Sequence, residues 1–272
     1  MTGRLVICPT PIGNLEDVTL RVLSALREAD VVACEDTRRT RVLLDRYGVK
    51  ARLVSYHEHN EKARASELVR RMREGAVVAL VSDAGMPLIS DPGFLLVRAC
   101  VAAGLPVEVL PGPSAAITAL VASGLPADEW HFHGFLPRKK GELRRVVSQG
   151  GGTLVAFESP RRVPATLALL AELDPQREVA VCRELTKAHE EIVRGSAAEL
   201  AGRYAGAPPK GEVVLVLGPP STPSEADGEP AGLDALRRLV DAGAHPRKAA
   251  AVVAELTGGS ANALYRALTA RE

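Results

Sequence analysis

The feature that most constrains the fold of this chain is the alternation, in its first half, of short β-branched apolar runs with longer amphipathic segments. Between the runs, apolar residues recur at helical spacing, as at Val18, Val22, Ala25 and Leu26. Such alternation is typical of a mostly parallel sheet covered by helices. The predicted strands are Leu5–Cys8, Val31–Cys34, Leu53–Tyr56, Val77–Val81 and Val107–Leu110.

The pattern changes at residue 124, where strand-like runs follow one another with only two clear helical segments, 141–148 and 160–173. These runs are WHFHGF, TLVAF, VAVC, EEIVRG and EVVLVLG. Because EEIVRG follows VAVC too closely for a helical crossover, we expect antiparallel pairing there. The sequence therefore predicts an α/β protein with two domains, a mostly parallel N-terminal sheet (residues 1–123) and a mixed C-terminal sheet (residues 124–218).

A third region follows these domains. Residues 219–230 are rich in Pro, Ser and acidic residues and predict a flexible linker. Residues 231–272 predict a small helical unit that resembles a helix-turn-helix. We expect one of its helices to bury a stripe formed by Ala249, Val252, Val253 and Leu256, and to end at Gly258.

The loops after the predicted strands are where a ligand is expected, because ligands of parallel α/β sheets bind at the carboxyl ends of the strands. Neither G-x-G-x-x-G nor G-x-x-x-x-G-K-[ST] occurs, so two common phosphate-binding motifs are absent. Three other loops remain: PTPIGNL, SDAGMPLISDPG and LPGPSAA. Asp83 and Asp91 each fit an ordinary turn or helix cap, but three such loops together favour a site for an uncharged or cationic ligand.

Charge, cysteine content and the N-terminal sequence indicate which partners and which cellular location to expect. The net charge of +1 excludes a uniformly basic surface, so nucleic-acid binding would need local patches. The four cysteines, Cys8, Cys34, Cys100 and Cys182, occur singly, which fits a reducing compartment. The N-terminal apolar run is too short for a signal peptide or a membrane span, so we expect a cytoplasmic protein without membrane contact.

The chain resembles the tetrapyrrole methylase superfamily through eight segments, which are PTPIGNLEDVTLR, ACEDTRRT, YHEHNE, LVSDAGMPLISDPG, LPGPSA, FESPRR, RELTK and KGEVVLV. Within the superfamily it is similar to the bacterial enzymes that methylate the 2′-hydroxyl of a cytidine in the decoding region of 16S ribosomal RNA. The resemblance covers nearly the whole chain. It implies S-adenosylmethionine held between two α/β domains, a homodimer, and 16S ribosomal RNA within the small ribosomal subunit as substrate.

The resemblance also implies where the methyl donor lies, with the SDAGMPLIS loop wrapped around it. The cofactor-binding residues implied in this way are Gly13, Asp83, Ala84, Gly85, Met86, Ile89, Ser90, Ser114 and Ala115. Spacing alone would not identify them.

Methylation of a ribose needs the hydroxyl oxygen aligned with the sulfonium methyl group, so orientation supplies much of the rate and a general base adds to it. The candidates for the base are His59, Glu184 and Lys187, and Lys187 is also a candidate for stabilising the developing oxyanion. The sequence does not choose among them. His57 and His59 alternate at a predicted strand end, but two histidines are too few for a metal site, so no metal is expected.

Arginines are the expected RNA contacts, because phosphates are their common partners. The candidates are Arg38, Arg39, Arg41, Arg161 and Arg162. Arg144 and Arg145 are interpreted as a solvated helix face. Aromatic residues make up only 3% of the chain, which excludes an extensive stacking platform. The helical C-terminal unit fits docking on ribosomal RNA, and it fits a packing or dimer contact as well.

Two alternatives stay open at this point. One is carbon methylation of a precorrin-type tetrapyrrole, whose carboxylates the same arginines could bind, although the C-terminal helical unit favours RNA. The other is a non-catalytic sensor that binds S-adenosylmethionine without turnover.

Overall fold

The computed structural model describes residues 3–148, 151–221 and 232–269. The chain divides into two compact units, residues 1–220 and residues 221–272. The first unit contains two five-stranded sheets, and the described part of the second unit is helical. The domain boundaries expected within the first unit stay a prediction.

The first sheet is entirely parallel, with strand order β3-β2-β4-β1-β5. Its strands are β1 (Arg4–Ile7), β2 (Val31–Cys34), β3 (Leu53–Ser55), β4 (Val77–Val81) and β5 (Val107–Val109). The predicted strand bounds are confirmed to within one residue at each end. The central strands are buried on both faces, which explains why they appear in the sequence as continuous apolar runs.

Helices cover both faces of this sheet. They are α1 (Leu20–Glu28), α2 (Thr37–Arg46), α3 (Glu61–Arg73) and α4 (Phe94–Ala102). The cores place α1 and α2 on one face and α3 and α4 on the other. Local chemistry sets where two of them begin, since the Thr19 and Asp36 side chains accept hydrogen bonds from the first turns of α1 and α2.

Helix α5 (Ala115–Ser123) joins the two sheets. Although it follows β5, its buried face packs against strands of the second sheet, where Ala119 and Leu120 share a core with Val155 and Val216. Ile12, in the loop after β1, belongs to the same core. This packing brings the carboxyl ends of β1, β4 and β5 next to the second sheet.

The second sheet has the order β6-β7-β10-β8-β9 and is mixed, as predicted: β6 and β7 are parallel and the other pairs are antiparallel. Its strands are β6 (Trp130–Phe135), β7 (Thr153–Glu158), β8 (Glu178–Arg183), β9 (Glu191–Ser196) and β10 (Val213–Leu217). Helices α6 (Lys140–Ser148), α7 (Val163–Leu173) and α8 (Ala197–Tyr204) cover its other face.

Helix α8 is absent from the sequence-based prediction. It begins with a capping box, in which Ser196 and Glu199 each bond the other's backbone N–H. The pattern S-x-x-E before an apolar helix predicts such a start, so this signal was available in the sequence.

The second unit contains α9 (Leu233–Asp241), α10 (Pro246–Thr257) and α11 (Ala261–Thr269). Helix α10 ends at Gly258 in the left-handed conformation, as predicted. The predicted stripe on α10 is partly wrong, because Val252 and Leu256 are exposed while Ala250 and Ala254 are buried in their place. Most of the predicted linker, residues 222–230, lies outside the described residues.

Candidate functional site

A cleft of about 530 Å³ opens between the strand ends of the first sheet and the face of the second sheet that packs on α5. All of the predicted cofactor residues except Gly13 line it, namely Asp83, Ala84, Gly85, Met86, Ile89, Ser90, Ser114 and Ala115. These residues come from the loops after β4 and β5, so the fold gathers separate sequence motifs into one site.

The loop after β4 is held by backbone bonds to the loop after β1. Thr10 and Gly85 exchange two N–H···O=C bonds, and the Ser82 hydroxyl donates to the Gly85 carbonyl at 3.2 Å. Gly85 has φ +76°, a conformation that favours glycine. Because its N–H and C=O are already bonded within the protein, Gly85 shapes the cleft rather than offering these groups to a ligand.

The second half of this loop carries backbone strain. Leu88 and Ser90 have φ values of +73° and +66°, which cost of order 1–3 kcal/mol each for residues with a side chain. Glu61 of α3 holds the end of the loop, since its Oε1 accepts from the N–H groups of Gly93 (2.9 Å) and Leu95 (3.2 Å) at the start of α4. The surrounding structure therefore fixes a conformation that the loop alone would rarely adopt.

Ser114 precedes α5 at the N-cap position, with an extended backbone. Its hydroxyl makes no capping bond to the described residues of α5, although Ser is a preferred N-cap residue. The side chain lines the cleft instead, where a ligand can accept or donate a hydrogen bond.

Three carboxylates, Glu35, Asp83 and Asp91, line the same side of the site. Asp83 accepts from the N–H of Asp36 at 3.0 Å and pairs with Arg39 at 3.4 Å. Burial, together with the neighbouring Glu35 and Asp83 charges, raises the pKa of Asp91 to about 6, against a hydrogen bond from Ser82 that lowers it. Burial also raises the pKa of Glu35, and Asp83 adds to that effect.

The predicted catalytic residue His59 lies outside the cleft lining. Strand β3 ends at Ser55, and the chain then turns, with the His57 N–H donating to Asn60 Oδ1 at 3.0 Å and the Asn60 N–H donating to the His57 carbonyl at 2.9 Å. The expected strand alternation of His57 and His59 is therefore wrong. Their rings still meet edge to face, with centroids 5.9 Å apart, and His59 is exposed.

The other two catalytic candidates, Glu184 and Lys187, bond each other rather than facing the cleft. Lys187 Nζ donates to Glu184 at 2.9 Å and to Glu212, a cleft residue, at 3.0 Å. Burial works to lower the pKa of Lys187, but the two carboxylates outweigh it and raise the pKa, so the amine stays protonated. The bond from Lys187 and one from the Glu212 N–H lower the pKa of Glu184.

Gly13 lies against this same loop. A Cβ atom at Gly13 would come within 2.5 Å of Lys187 Cγ and 2.9 Å of the Leu185 carbonyl oxygen. The next residue, Asn14, donates its N–H to the Thr186 hydroxyl at 3.0 Å. Gly13 therefore permits close packing of the first loop against the RELTK loop, and it lies outside the cleft lining.

The predicted RNA-binding arginines occupy different environments. Only Arg39 lines the cleft, with an exposed side chain. Arg38 binds Asp36 through two bonds, Arg41 and Arg161 are exposed, and Arg162 donates to the carbonyls of residues 136 and 137. The Arg162 guanidinium is thus largely occupied within the protein. Arg144 pairs with Glu172 on the exposed side of α6, in keeping with a solvated helix face.

Several cleft residues were not singled out from the sequence. They are Ile12, Glu35, Phe135, Phe157, Glu158, Ser159, Pro160, Cys182, Leu185 and residues 211–214. The FESPRR and KGEVVLV segments contain several of these, so the motifs were a usable signal even though the individual residues were not identified. Burial raises the pKa of Cys182 to about 11, which keeps its thiol protonated.

Residues 3–148, 151–221 and 232–269 contain no group of three or more His, Cys, Asp and Glu side chains arranged to hold a metal ion. No helix in that part of the chain is long and apolar enough to cross a membrane.

Comparison with known proteins agrees with this geometry. The family described as Tetrapyrrole (Corrin/Porphyrin) Methylases matches residues 4–201. Among solved structures, uroporphyrin-III-C-methyltransferase from Thermus thermophilus is similar, with a TM-score of 0.56 and 26% identity over 79% of this chain and 94% of that chain. A structure of that enzyme complexed with S-adenyl homocysteine has a TM-score of 0.56 over 79% of this chain and 97% of that chain, and its 23% identity shows the fold alone.

The similarity to curated proteins is higher. The chain is 48% identical to Ribosomal RNA small subunit methyltransferase I of Mesorhizobium japonicum, over 97% of this chain and 90% of that protein. It is 44% identical to the protein of the same name from Escherichia coli O157:H7, over 97% of this chain and 94% of that protein. The chain therefore belongs to the tetrapyrrole methylase family and, within it, to the ribosomal RNA small subunit methyltransferase I group.

Proposed function

We propose that this chain transfers a methyl group from S-adenosylmethionine to the 2′-hydroxyl of a cytidine in the decoding region of 16S ribosomal RNA. The observation that carries the proposal is the 44% and 48% identity to ribosomal RNA small subunit methyltransferases I over 97% of the chain. The gathering of the implied cofactor residues around one cleft supports it.

The cleft fits S-adenosylmethionine in size and in charge. Its volume of about 530 Å³ lies in the range of small-molecule sites. Met86 and Ile89 supply apolar contact, and the nearby carboxylate of Asp83 suits a sulfonium cation. We assign direct contacts to Asp83, Ala84, Met86, Ile89, Ser90, Ser114 and Ala115, while Gly13 and Gly85 shape the loops.

When bound, S-adenosylmethionine supplies a methyl group that is already activated for displacement by an oxygen nucleophile. The protein has to align the ribose hydroxyl and accept its proton. Proton transfer to a positioned base typically raises the reaction rate by a factor of about 10²–10⁴. Asp91 and Glu35 both line the cleft with raised pKa values, and we assign the acceptor role to Asp91, whose pKa of about 6 makes it a stronger base than an ordinary carboxylate. His59 lies outside the cleft lining, the lowered pKa of Glu184 makes it a weaker base, and protonated Lys187 suits stabilisation of negative charge.

Arg39 is the strongest of the proposed RNA contacts, since it is exposed and lies at the cleft itself. Arg41 and Arg161 are exposed and available to phosphates farther from the reacting ribose, whereas the exposed Arg38 already binds Asp36 through two bonds. Arg162 binds backbone carbonyls and so stabilises the FESPRR turn, and we expect it to contribute less to RNA binding than the exposed arginines. The second unit adds His245, Arg247 and Lys248 at the start of α10, and we propose that it docks on ribosomal RNA.

A homodimer in the bacterial cytoplasm is part of the proposal. Strand β5 is an edge of the first sheet, and Val109 on it is 58% exposed. Ile117 and Val121, four residues apart on α5, are 45% and 74% exposed and share one face of the helix, and a contiguous exposed apolar patch is typical of an interaction surface. Light scattering on a size-exclusion column tests this point: Val121→Glu is expected to shift a dimer toward monomer, and a monomeric wild-type protein contradicts it.

Carbon methylation of a tetrapyrrole is the second candidate function, and the structural similarity to uroporphyrin-III-C-methyltransferase is the observation that favours it. The lower identity of 26%, compared with 48% for the ribosomal RNA methyltransferase, ranks it below RNA methylation.

The deciding experiment measures labelled methyl transfer to small ribosomal subunits from cells that lack this gene, with protein-free 16S RNA alongside. Label recovered in one nuclease-resistant dinucleotide supports ribose methylation, and the comparison of the two substrates tells whether the assembled particle is needed. No label in either substrate, with S-adenosylhomocysteine still bound, contradicts the proposal and favours a tetrapyrrole substrate or a sensor.

The same assay on a protein truncated after Pro220 tests whether the second unit docks on ribosomal RNA. Unchanged kinetics in the truncated protein would rule out RNA docking by this unit.

A further inference from the structure

Strand β6 contains a bulge at its carboxyl end, next to the cleft. Phe132 pairs with Val155 of β7 and Phe135 pairs with Phe157. Between these two pairs β6 advances by three residues and β7 by only two, so β6 contains one extra residue. Gly134, between them, has φ +77°. A bulge of this kind redirects the side chains that follow it, and bulges are frequent beside active sites.

The bulge places Phe135 on the cleft side of the sheet. In a regular strand, residues three apart point to opposite faces. Here the rings of Phe132 and Phe135 both contact the ring of Phe157, with centroid distances of 5.0 and 5.4 Å and edge-to-face geometry. Phe132 and Phe157 are partly buried against the core that also contains α5, so Phe135 extends that aromatic row into the cleft.

Phe135 is nevertheless 65% exposed. Edge-to-face contact with Phe157 orients the ring and leaves most of its surface in solvent. Gly134 lies beside the cofactor loop, because a Cβ atom there would be 3.3 Å from Ser90 Oγ. The cleft therefore has an oriented, exposed aromatic ring next to the loop assigned to the methyl donor.

We propose that Phe135 stacks on the base of the nucleotide whose ribose enters the cleft, and that this contact positions the 2′-hydroxyl for methyl transfer. The inference rests on the proposed function and adds a substrate contact to it. Proteins bind unpaired RNA bases by stacking them on aromatic side chains, and one such contact tolerates any base because every base has a π face. The aromatic content of the chain is too low for an extended stacking platform, but one ring is sufficient for one target nucleotide.

The test compares Phe135→Ala, Phe135→Leu and Phe135→Tyr in methyl transfer to small ribosomal subunits. Stacking contributes about 1–3 kcal/mol per base, so we expect the Ala and Leu variants to lose about 5- to 150-fold in kcat/KM and the Tyr variant to keep most of it. Affinity for S-adenosylhomocysteine, measured by calorimetry, is expected to stay within about twofold in all three.

Phe94→Ala is the matched control. Phe94 is also an exposed phenylalanine, at 59%, and it lies outside the cleft lining. The Arg98 Cζ atom lies over its ring, 5.7 Å from the ring centroid. We expect this variant to keep full activity. Equal activity of Phe135→Ala and wild type would overturn the inference, and so would full activity of Phe135→Leu, which would indicate a merely apolar wall.

A parallel loss of S-adenosylhomocysteine affinity in Phe135→Ala would also overturn the inference, because it would assign the ring to the cofactor. These outcomes are distinct from failure of the proposed function. If the proposed function is wrong, the wild-type protein itself transfers no methyl group to the small subunit.

Discussion

Thr10 and Gly85 exchange two backbone hydrogen bonds of 2.9 Å each, and these bonds join the loops after β1 and β4 at the floor of the cleft. The pair forms an isolated antiparallel bridge between the ends of two parallel strands. It depends on the positive φ of Gly85, a conformation that a β-branched residue adopts only with strain. The shape of the proposed cofactor site thus depends on one glycine.

Gly85→Val is expected to weaken binding of S-adenosylhomocysteine by at least about tenfold. A Cβ at this position would lie 3.3 Å from Ile12 Cγ2, closer than ordinary contact, and the valine would also strain the φ angle. Calorimetric titration measures the effect.

Gly104→Val is the control for backbone strain alone. Gly104 has a similar φ of +65°, and a Cβ there would have no atom within 4 Å. We expect Gly104→Val to lower the melting temperature without changing cofactor affinity. Unchanged affinity in Gly85→Val would contradict the placement of the cofactor.

Asp91→Asn is expected to lower turnover and, at the same time, to stabilise the fold. If Asp91 accepts the ribose proton, turnover falls about 10²-fold or more in the variant while cofactor binding persists. In the wild type, turnover is expected to fall as pH drops below about 6, the pKa of Asp91, and this dependence is expected to be absent from the residual activity of the variant.

The stability of the same variant has a defined dependence on pH. The folded-state pKa of Asp91, about 6, is above its usual value of 3.8, so the folded protein binds the proton more tightly than the unfolded chain. The ionised carboxylate therefore destabilises the fold increasingly as pH rises from about 4 to about 6, and by a constant amount above that. We expect Asp91→Asn to raise the melting temperature more at pH 8 than at pH 4; a pH-independent difference would show that the burial of Asp91 is not decisive.

The sequence was sufficient for the first sheet because its strands are short and rich in β-branched apolar residues, and β2 and β4 are apolar throughout. The sequence was less informative where tertiary packing determines the position of a side chain. The histidines of YHEHNE lie on a turn rather than a strand, since β3 ends at Ser55. The cleft position of Phe135 depends on a bulge, which period-two alternation does not predict. The bond from Lys187 to Glu212 joins two segments that are 25 residues apart, and the sequence does not show that they meet.

Arg39→Ala is expected to weaken RNA binding in a salt-dependent way. Removing one arginine–phosphate pair is expected to reduce the slope of log K against log salt by about 1, and an exposed charge pair is worth up to about 1 kcal/mol, a rise in KM of about fivefold. Arg144→Ala removes the same charge from α6, outside the cleft lining. If the two variants have the same KM and salt slope, Arg39 has no specific role at the site.

Glu61→Ala is expected to destabilise the protein more than Tyr56→Phe. The Glu61 Oε1 atom accepts three hydrogen bonds, from Gly93 N–H, Leu95 N–H and the hydroxyl of the fully buried Tyr56. Hydrogen bonds to charged groups contribute about 1.5–3 kcal/mol, and the alanine variant also leaves the Tyr56 hydroxyl without its carboxylate partner. Tyr56→Phe removes one of these bonds and leaves the cap of α4 in place.

Urea unfolding of both variants measures the difference in the free energy of unfolding. Because Glu61 fixes the end of the strained loop after β4, we also expect Glu61→Ala to weaken S-adenosylhomocysteine binding, whereas Tyr56→Phe is expected to bind it nearly as wild type does. Equal destabilisation with equal affinities would mean that the cap of α4 contributes nothing measurable. Glu61 would then have no demonstrated role in holding the cofactor loop, although it bonds Gly93 and Leu95 at the start of α4.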